Sequence, residues 1–124
     1  MAAPNIVNVA TINGKTVYLD LSTTSATVLV SNAASSNKVF KLNNIFVSNT
    51  NGTSAADVTV SYHTAASGGG TAYKIASTVS VPADSTLVVL DKSGAIYLEE
   101  NTSITITAGT AGYLQVVASY EDIS

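Results

Sequence analysis

Hydrophobic and polar residues alternate along most of this chain. Over Thr16–Leu21, valine and leucine occupy the odd positions, and a similar alternation recurs over Val58–His63 and Ile104–Thr107. Successive side chains of a β-strand point to opposite faces of its sheet, so this period predicts strands with one buried and one solvated face. No segment carries the apolar spacing of an amphipathic helix. The pattern therefore predicts an all-β protein.

Further strand candidates share a high content of Val, Ile, Thr and Tyr, which suit a pleated, half-buried surface. They are Ile6–Thr11, Ala26–Ser31, Val39–Ser48, Tyr73–Val81, Thr86–Leu90, Ala95–Leu98 and Tyr113–Tyr120. About nine or ten short strands at this spacing predict one antiparallel β-sandwich or jelly-roll-like domain over residues 1–124. Residues 1–5 are a candidate N-terminal arm that could add to a neighbour.

Glycine-containing segments predict the turns. Asn13-Gly14 lies between two apolar stretches and predicts a two-residue hairpin turn, because such turns need positive φ at both central positions. Asn51-Gly52 predicts another turn. The run Ser67-Gly68-Gly69-Gly70 predicts a mobile hairpin tip, since glycine restricts φ least.

The apolar positions change register within Val39–Ser48. Phe40 and Leu42 are even-numbered, whereas Ile45 and Val47 are odd-numbered. A slip of one residue turns the buried face of a strand outward. A β-bulge at Asn43-Asn44 would restore the register, and the alternative is two separate strands.

The chain carries little charge. Charged residues make up 10% of the sequence, compared with about 25% in a typical domain, and the formal net charge is −3. The five lysines are scattered, which argues against binding to nucleic acid or to an anionic membrane. A nearly neutral polar surface loses water at low cost. It fits either an ordinary soluble domain or a subunit whose surface is covered in an assembly.

Catalytic and metal-binding residues are sparse. The sequence has no cysteine and a single histidine, His63, and no motif of a nucleophilic hydrolase. Glu99 and Glu100 are adjacent, so on a strand they would point to opposite faces and could not act as a pair. We therefore predict no enzyme activity, no metal and no cofactor. His63 is expected to face solvent or a partner, and it is a candidate interface residue.

Tyrosines are the other candidates for an interaction site. All six lie on predicted strands, and tyrosine is favoured at interfaces because one end is apolar and the other polar. Tyr18 and Tyr97 alternate with core positions, which makes them the best candidate interface residues. The alternative is that most tyrosines simply fill the sandwich.

Several segments carry a family resemblance over Lys41–Ser124, about two-thirds of the chain. The most specific is Val79–Lys92, which contains the run Val-Pro-Ala-Asp-Ser-Thr. The others are Lys41–Val47, Ala56–Val60, Ile96–Glu100 and Val116–Asp122. Together they resemble small virion structural proteins of tailed bacteriophages, in particular those of marine and cyanobacterial phages. The first 40 residues carry little of this resemblance.

The resemblance implies a role in virion assembly and brings no catalytic residues with it. It implies a capsid decoration (cement) protein, made in the host cytoplasm without a signal peptide and located in the virion. Its partners would be the major capsid protein or other virion proteins, and it would form a homo-oligomer. The alternatives are a tail, neck or fibre component, or a carbohydrate-binding β-sandwich module.

Overall fold

The computed structural model describes residues 9–124. This part of the chain contains nine strands and two single-turn 3₁₀ segments. The strands are β1 (Ile12–Asp20), β2 (Thr27–Asn32), β3 (Val39–Asn49), β4 (Ala56–His63), β5 (Ala72–Val81), β6 (Thr86–Leu90), β7 (Ile96–Leu98), β8 (Thr102–Ala108) and β9 (Leu114–Ile123). The candidate arm, residues 1–5, lies outside the described residues, as does the first half of the predicted strand Ile6–Thr11. The described remainder of that strand is not in a ladder.

The strands form two antiparallel sheets. The first sheet has the order β1-β9-β3-β6, and β7 also pairs with β3 beyond the end of β6. The second sheet has the order β2-β8-β4-β5. The chain passes repeatedly from one sheet to the other, and this order is that of a jelly roll. The predicted antiparallel sandwich is therefore confirmed.

The core lies between the inner faces of the two sheets. The first sheet contributes the fully buried side chains of Leu42, Ile45, Val47, Leu98, Leu114 and Val116. The second sheet contributes Val58, Val60, Val81, Ile104 and Ile106. These are the apolar positions of the alternating pattern, so the period of two in the sequence becomes the inner face of each sheet.

A β-bulge interrupts β3 at the place that the sequence predicts. The pairing of β3 with β9 shifts register between Leu42 and Asn44, and the Asn44 side-chain oxygen accepts a hydrogen bond of 3.1 Å from the Ser119 amide. Leu42 and Ile45 are consequently both fully buried although their numbers differ by three. One bulged strand, rather than two strands, thus supplies a continuous inner face.

The predicted hairpin turn at Asn13-Gly14 is wrong. Both residues lie within β1 and pair with Asp122 and Glu121 of β9, and neither has positive φ. Pairing with a strand more than 100 residues away in sequence therefore outweighs the local preference of Asn-Gly for a turn. Asn51-Gly52, by contrast, lies in the loop between β3 and β4 as expected.

Two buried asparagines join the sheets. Asn32 in β2 belongs to the second sheet, and its side-chain amide donates a 3.0 Å hydrogen bond to the Leu98 carbonyl of the first. Asn49 in β3 belongs to the first sheet, and its amide donates a 2.9 Å bond to the Val81 carbonyl of the second. A buried carbonyl is costly to leave unpaired, so both side chains fix how the sheets meet.

Candidate functional site

An exposed apolar row crosses the outer face of the first sheet. Tyr18 of β1 pairs with Val117 of β9, Val117 with Phe46 of β3, and Phe46 with Val88 of β6. Directly paired residues share a face, so the four side chains form one line across four strands, about 14 Å from first to last. Their exposed fractions are 77%, 46%, 36% and 52% in that order. We call these four residues the apolar row.

Polar residues flank the apolar row on both sides. The next set of paired positions on one side is Asp20, Gln115, Ser48 and Thr86, and on the other it is Thr16, Ser119 and Asn44. An apolar centre with a polar and only weakly charged margin is the usual anatomy of a protein–protein contact. Exposed contiguous apolar surface of this kind marks an interaction site more often than scattered single residues do.

Tyr97 lies on the same outer face as Tyr18. It pairs with Lys41 of β3, which in turn pairs with Glu121 of β9, and its side chain is 42% exposed. Lys41 and Glu121 approach each other at 3.9 Å, so the charges between Tyr97 and the far edge of the sheet are mutually compensated. The two tyrosines selected from the sequence therefore share one surface. On β3, the residue beside Tyr97 (Lys41) and the residue in the row of Tyr18 (Phe46) are two outward-facing positions apart when the bulge is counted as one.

A shallow cavity adjoins the exposed ring of Tyr18. Its volume is about 190 Å³, and it is lined by Tyr18, Leu19, Asp20, Gln115, Val116 and Val117. Within residues 9–124, no group of three or more histidine, aspartate or glutamate side chains is placed to hold a metal ion. In the same part of the chain, no helix has the length and apolar character that a membrane span requires.

A buried carboxylate lies at one end of the sandwich. Asp122 of β9 is almost fully buried and lies 2.9 Å from the Lys15 ammonium and 3.4 Å from that of Lys38. Burial alone would raise the pKa of Asp122, but the hydrogen bonds and charges of Lys15 and Lys38 outweigh burial and lower it. The same contact raises the pKa of Lys15. Asp122 is therefore a structural ion-pair centre.

The outer face of the second sheet is partly covered by the glycine-rich loop, residues 64–71. The Ser67 amide donates to the Ser31 hydroxyl at 2.9 Å, and the Gly68 amide donates to the Ser103 hydroxyl at 2.9 Å. Ser103 is fully buried as a result. The predicted mobile hairpin tip is thus a loop folded back against β2 and β8, and the glycines serve a close approach to the sheet.

His63 lies beneath this loop. Its Nε2 atom is 2.7 Å from the Thr105 hydroxyl, and its Nδ1 atom is 3.2 Å from the Gly69 carbonyl oxygen. A carbonyl oxygen only accepts, so Nδ1 donates to Gly69, whereas the Thr105 hydroxyl can either donate to or accept from Nε2. The half-buried ring lies on the outer face of the second sheet, where it joins β4, β8 and the loop that partly covers it. A role for His63 at an interface stays a prediction.

Sequence reasoning missed three members of the apolar row: Phe46, Val88 and Val117. Each lies inside a run of consecutive apolar residues, for example Ile45-Phe46-Val47 and Val116-Val117. On a strand that alternates between core and solvent, one member of such a pair must point outward. Apolar runs that break the period of two were therefore the signal that could have found this surface.

Comparison with known proteins shows a similar fold. No protein-family model matches the sequence, and no curated protein matches it either. A chain from Bacillus endospore appendages, described as a novel family of disulfide-linked pili, is similar with a TM-score of 0.52 at 16% identity, over 92% of this chain and 88% of that one. A chain of a virus-like particle of the extra small virus of the giant freshwater prawn Macrobrachium rosenbergii has a TM-score of 0.45 at 13% identity, over 97% and 86%. At such identity the Bacillus likeness concerns the fold alone.

Proposed function

We propose that this protein is a non-enzymatic structural subunit of a virion. More specifically, it is a decoration protein that binds the assembled head of a tailed bacteriophage and stabilises it. The apolar row Tyr18–Val117–Phe46–Val88 carries this proposal, because it forms an exposed apolar strip on the outer face of the first sheet. Tyr97 lies on the same face and extends the contact toward β7.

Three further observations support an assembly role. The chain has only 10% charged residues, so its surface loses water cheaply when it is covered. The segments Val79–Lys92 and Val116–Asp122 resemble virion structural proteins of tailed phages. The fold is similar to that of a chain from Bacillus endospore pili, which is itself part of an assembly.

The mechanism of a decoration protein is mass action. A subunit that binds the assembled shell and not its separated parts stabilises the shell by its binding free energy. Each apolar side chain of the row that becomes covered adds to this free energy, and the contributions of many copies add over one particle. The sandwich, held by its own core, provides a rigid sheet on which the row keeps its geometry.

The first experiment measures binding of the purified protein to particles from which it has been removed. The test variant carries Val88→Thr and Val117→Thr, which keep shape and strand preference but place two hydroxyl groups in the contact. Burying an unpaired hydroxyl costs about 1–3 kcal/mol, so we expect the affinity to fall at least about tenfold. The matched control is Val28→Thr, which changes an exposed valine of β2 on the other sheet.

The control variant should bind as the unchanged protein does. Equal binding by the double variant and the control would exclude the apolar row as the contact. Binding of the unchanged protein only to tail or neck complexes, and not to heads, would instead favour the alternative position on the virion.

A further inference from the structure

The two sheets have four edges, and these edges differ in how readily they could pair with a further strand. The first sheet ends in β1 on one side and in β6 and β7 on the other, and the second sheet ends in β2 and β5. Among the edge strands, β1 is both long and regularly paired. It pairs with β9 over nine consecutive residues, from Ile12 to Asp20, without a register shift.

The other edges within residues 9–124 are interrupted or short. The pairing of β2 shifts register between Val28 and Val30, and that of β5 shifts twice and includes Thr78 at a φ of 50°. The edge strands β6 and β7 have five and three residues. Bulges and short strands are the devices by which proteins prevent their edges from pairing with other chains. β1 lacks both devices.

The open side of β1 presents backbone groups that have no partner among the described residues. In an antiparallel ladder, alternate residues of an edge strand direct their N–H and C=O groups away from the sheet. β1 contains no proline, and its one lysine, Lys15, is held by Asp122 at 2.9 Å. A long, regular edge of this kind is a template for an added strand.

We propose that β1 pairs antiparallel with β1 of a second copy of this chain, about a two-fold axis at Thr16. The pairing would join the two five-stranded first sheets into one continuous ten-stranded sheet with both outer faces on the same side. Alternate residues of a strand face opposite ways, so the outer faces lie on the same side only if even-numbered residues of β1 oppose even-numbered residues of the partner. The numbers of two opposed residues then sum to an even value. An axis at Thr16 meets this condition and pairs all nine residues of β1.

Two kinds of side-chain pair on the outer face of β1 are complementary in this register. Gly14 opposes the partner's Tyr18, and by symmetry Tyr18 opposes the partner's Gly14. Tyr18 is the most exposed large apolar side chain among the described residues, at 77%, and the space above Gly14 is empty to beyond 4 Å. Each exposed ring therefore finds an open place on the partner, twice per dimer, and this complementarity identifies a second copy as the occupant. The two Thr16 residues form a favourable Thr–Thr pair at the axis.

Cross-linking tests the pairing directly, because the chain has no cysteine of its own. In the variant Thr16→Cys the two sulfhydryl groups would oppose each other across the axis, at the Cα separation of about 4.5–5.5 Å that a disulfide accepts. Mild oxidation should convert this variant to a covalent dimer. The matched control is Ser77→Cys, which places an exposed cysteine on the edge strand β5 and should remain mostly monomeric.

Sedimentation equilibrium tests the same contact without a cross-link. We expect concentration-dependent dimerisation of the unchanged protein, and Thr16→Lys should weaken it at least about tenfold by opposing two ammonium groups at the axis. Ser77→Lys is the control, and thermal unfolding of both lysine variants shows whether they fold. A monomer at every concentration up to about 1 mM, or equal cross-linking of the two cysteine variants, would overturn the proposal. A protein that binds particles as a monomer would overturn this pairing and leave the proposed function standing.

Discussion

Asn49 offers a sharp test of how the two sheets are held together. Its side chain is 2% exposed and makes three hydrogen bonds of 2.9 Å, in which it donates to the carbonyls of Ser54 and Val81 and accepts from the Asn51 amide. The substitution Asn49→Ala removes all three and leaves the buried Val81 carbonyl without this donor. At about 1 kcal/mol for each lost bond, we expect unfolding to become easier by about 3 kcal/mol.

Denaturant unfolding, followed by circular dichroism, measures this difference. For a domain of this size, a loss of about 3 kcal/mol corresponds to a fall in melting temperature of roughly 10–15 °C. Asn13→Ala is the matched control, because Asn13 is exposed on β1, and its effect should stay within about 0.5 kcal/mol. If Asn49→Ala were no more destabilising than Asn13→Ala, the hydrogen bonds between the sheets would not hold the sandwich as described.

Two further predictions concern the ion pair and the glycine-rich loop. The lowered pKa of Asp122 means that its ion pairs stabilise the fold above the unfolded pKa of about 3.9, and that this contribution is lost as the pH falls through the folded value. Asp122→Asn should therefore lower the free energy of unfolding by an amount on the order of 2 kcal/mol at pH 7, measured by denaturant unfolding. The difference between the variant and the unchanged protein should disappear in acid, and a difference independent of pH would contradict the assignment. Gly70→Ala should lower the melting temperature more than Gly112→Ala, because both have positive φ but an added Cβ at Gly70 alone would meet neighbouring atoms, those of Thr64 and Ala65. Equal effects would mean that the loop is not held in this conformation.

Much of the fold follows from local pattern. The period of two identifies the inner faces of β3, β4 and β8, and the change of register before Ile45 locates the bulge. The prediction of a turn at Asn13-Gly14 was wrong for a physical reason. These residues pair with β9, and the free energy of pairing with so distant a strand cannot be inferred from a few neighbouring residues. Sequence signals of short range are therefore reliable here only where tertiary pairing agrees with them.

The candidate interaction surface was predicted only in part. Tyr18 and Tyr97 were selected because they alternate with core positions, and both prove to be exposed on one outer face. The sequence did not show that Val88 and Val117 share this face with Tyr18, because the row forms only when four strands from distant parts of the chain pair in register. The partial cover over His63 could not be predicted, because the loop that covers it is held by hydrogen bonds to Ser31 and Ser103, which lie far away in the sequence.

The most direct test of the central claim is the number of copies of this chain in each purified virion, measured by quantitative mass spectrometry against the major capsid protein. The proposed decoration of the head predicts a copy number in the same range as that of the capsid protein itself. A number far smaller, of the size expected for a neck or tail ring, would place the protein elsewhere on the virion. Absence of the chain from purified particles would contradict a virion role altogether.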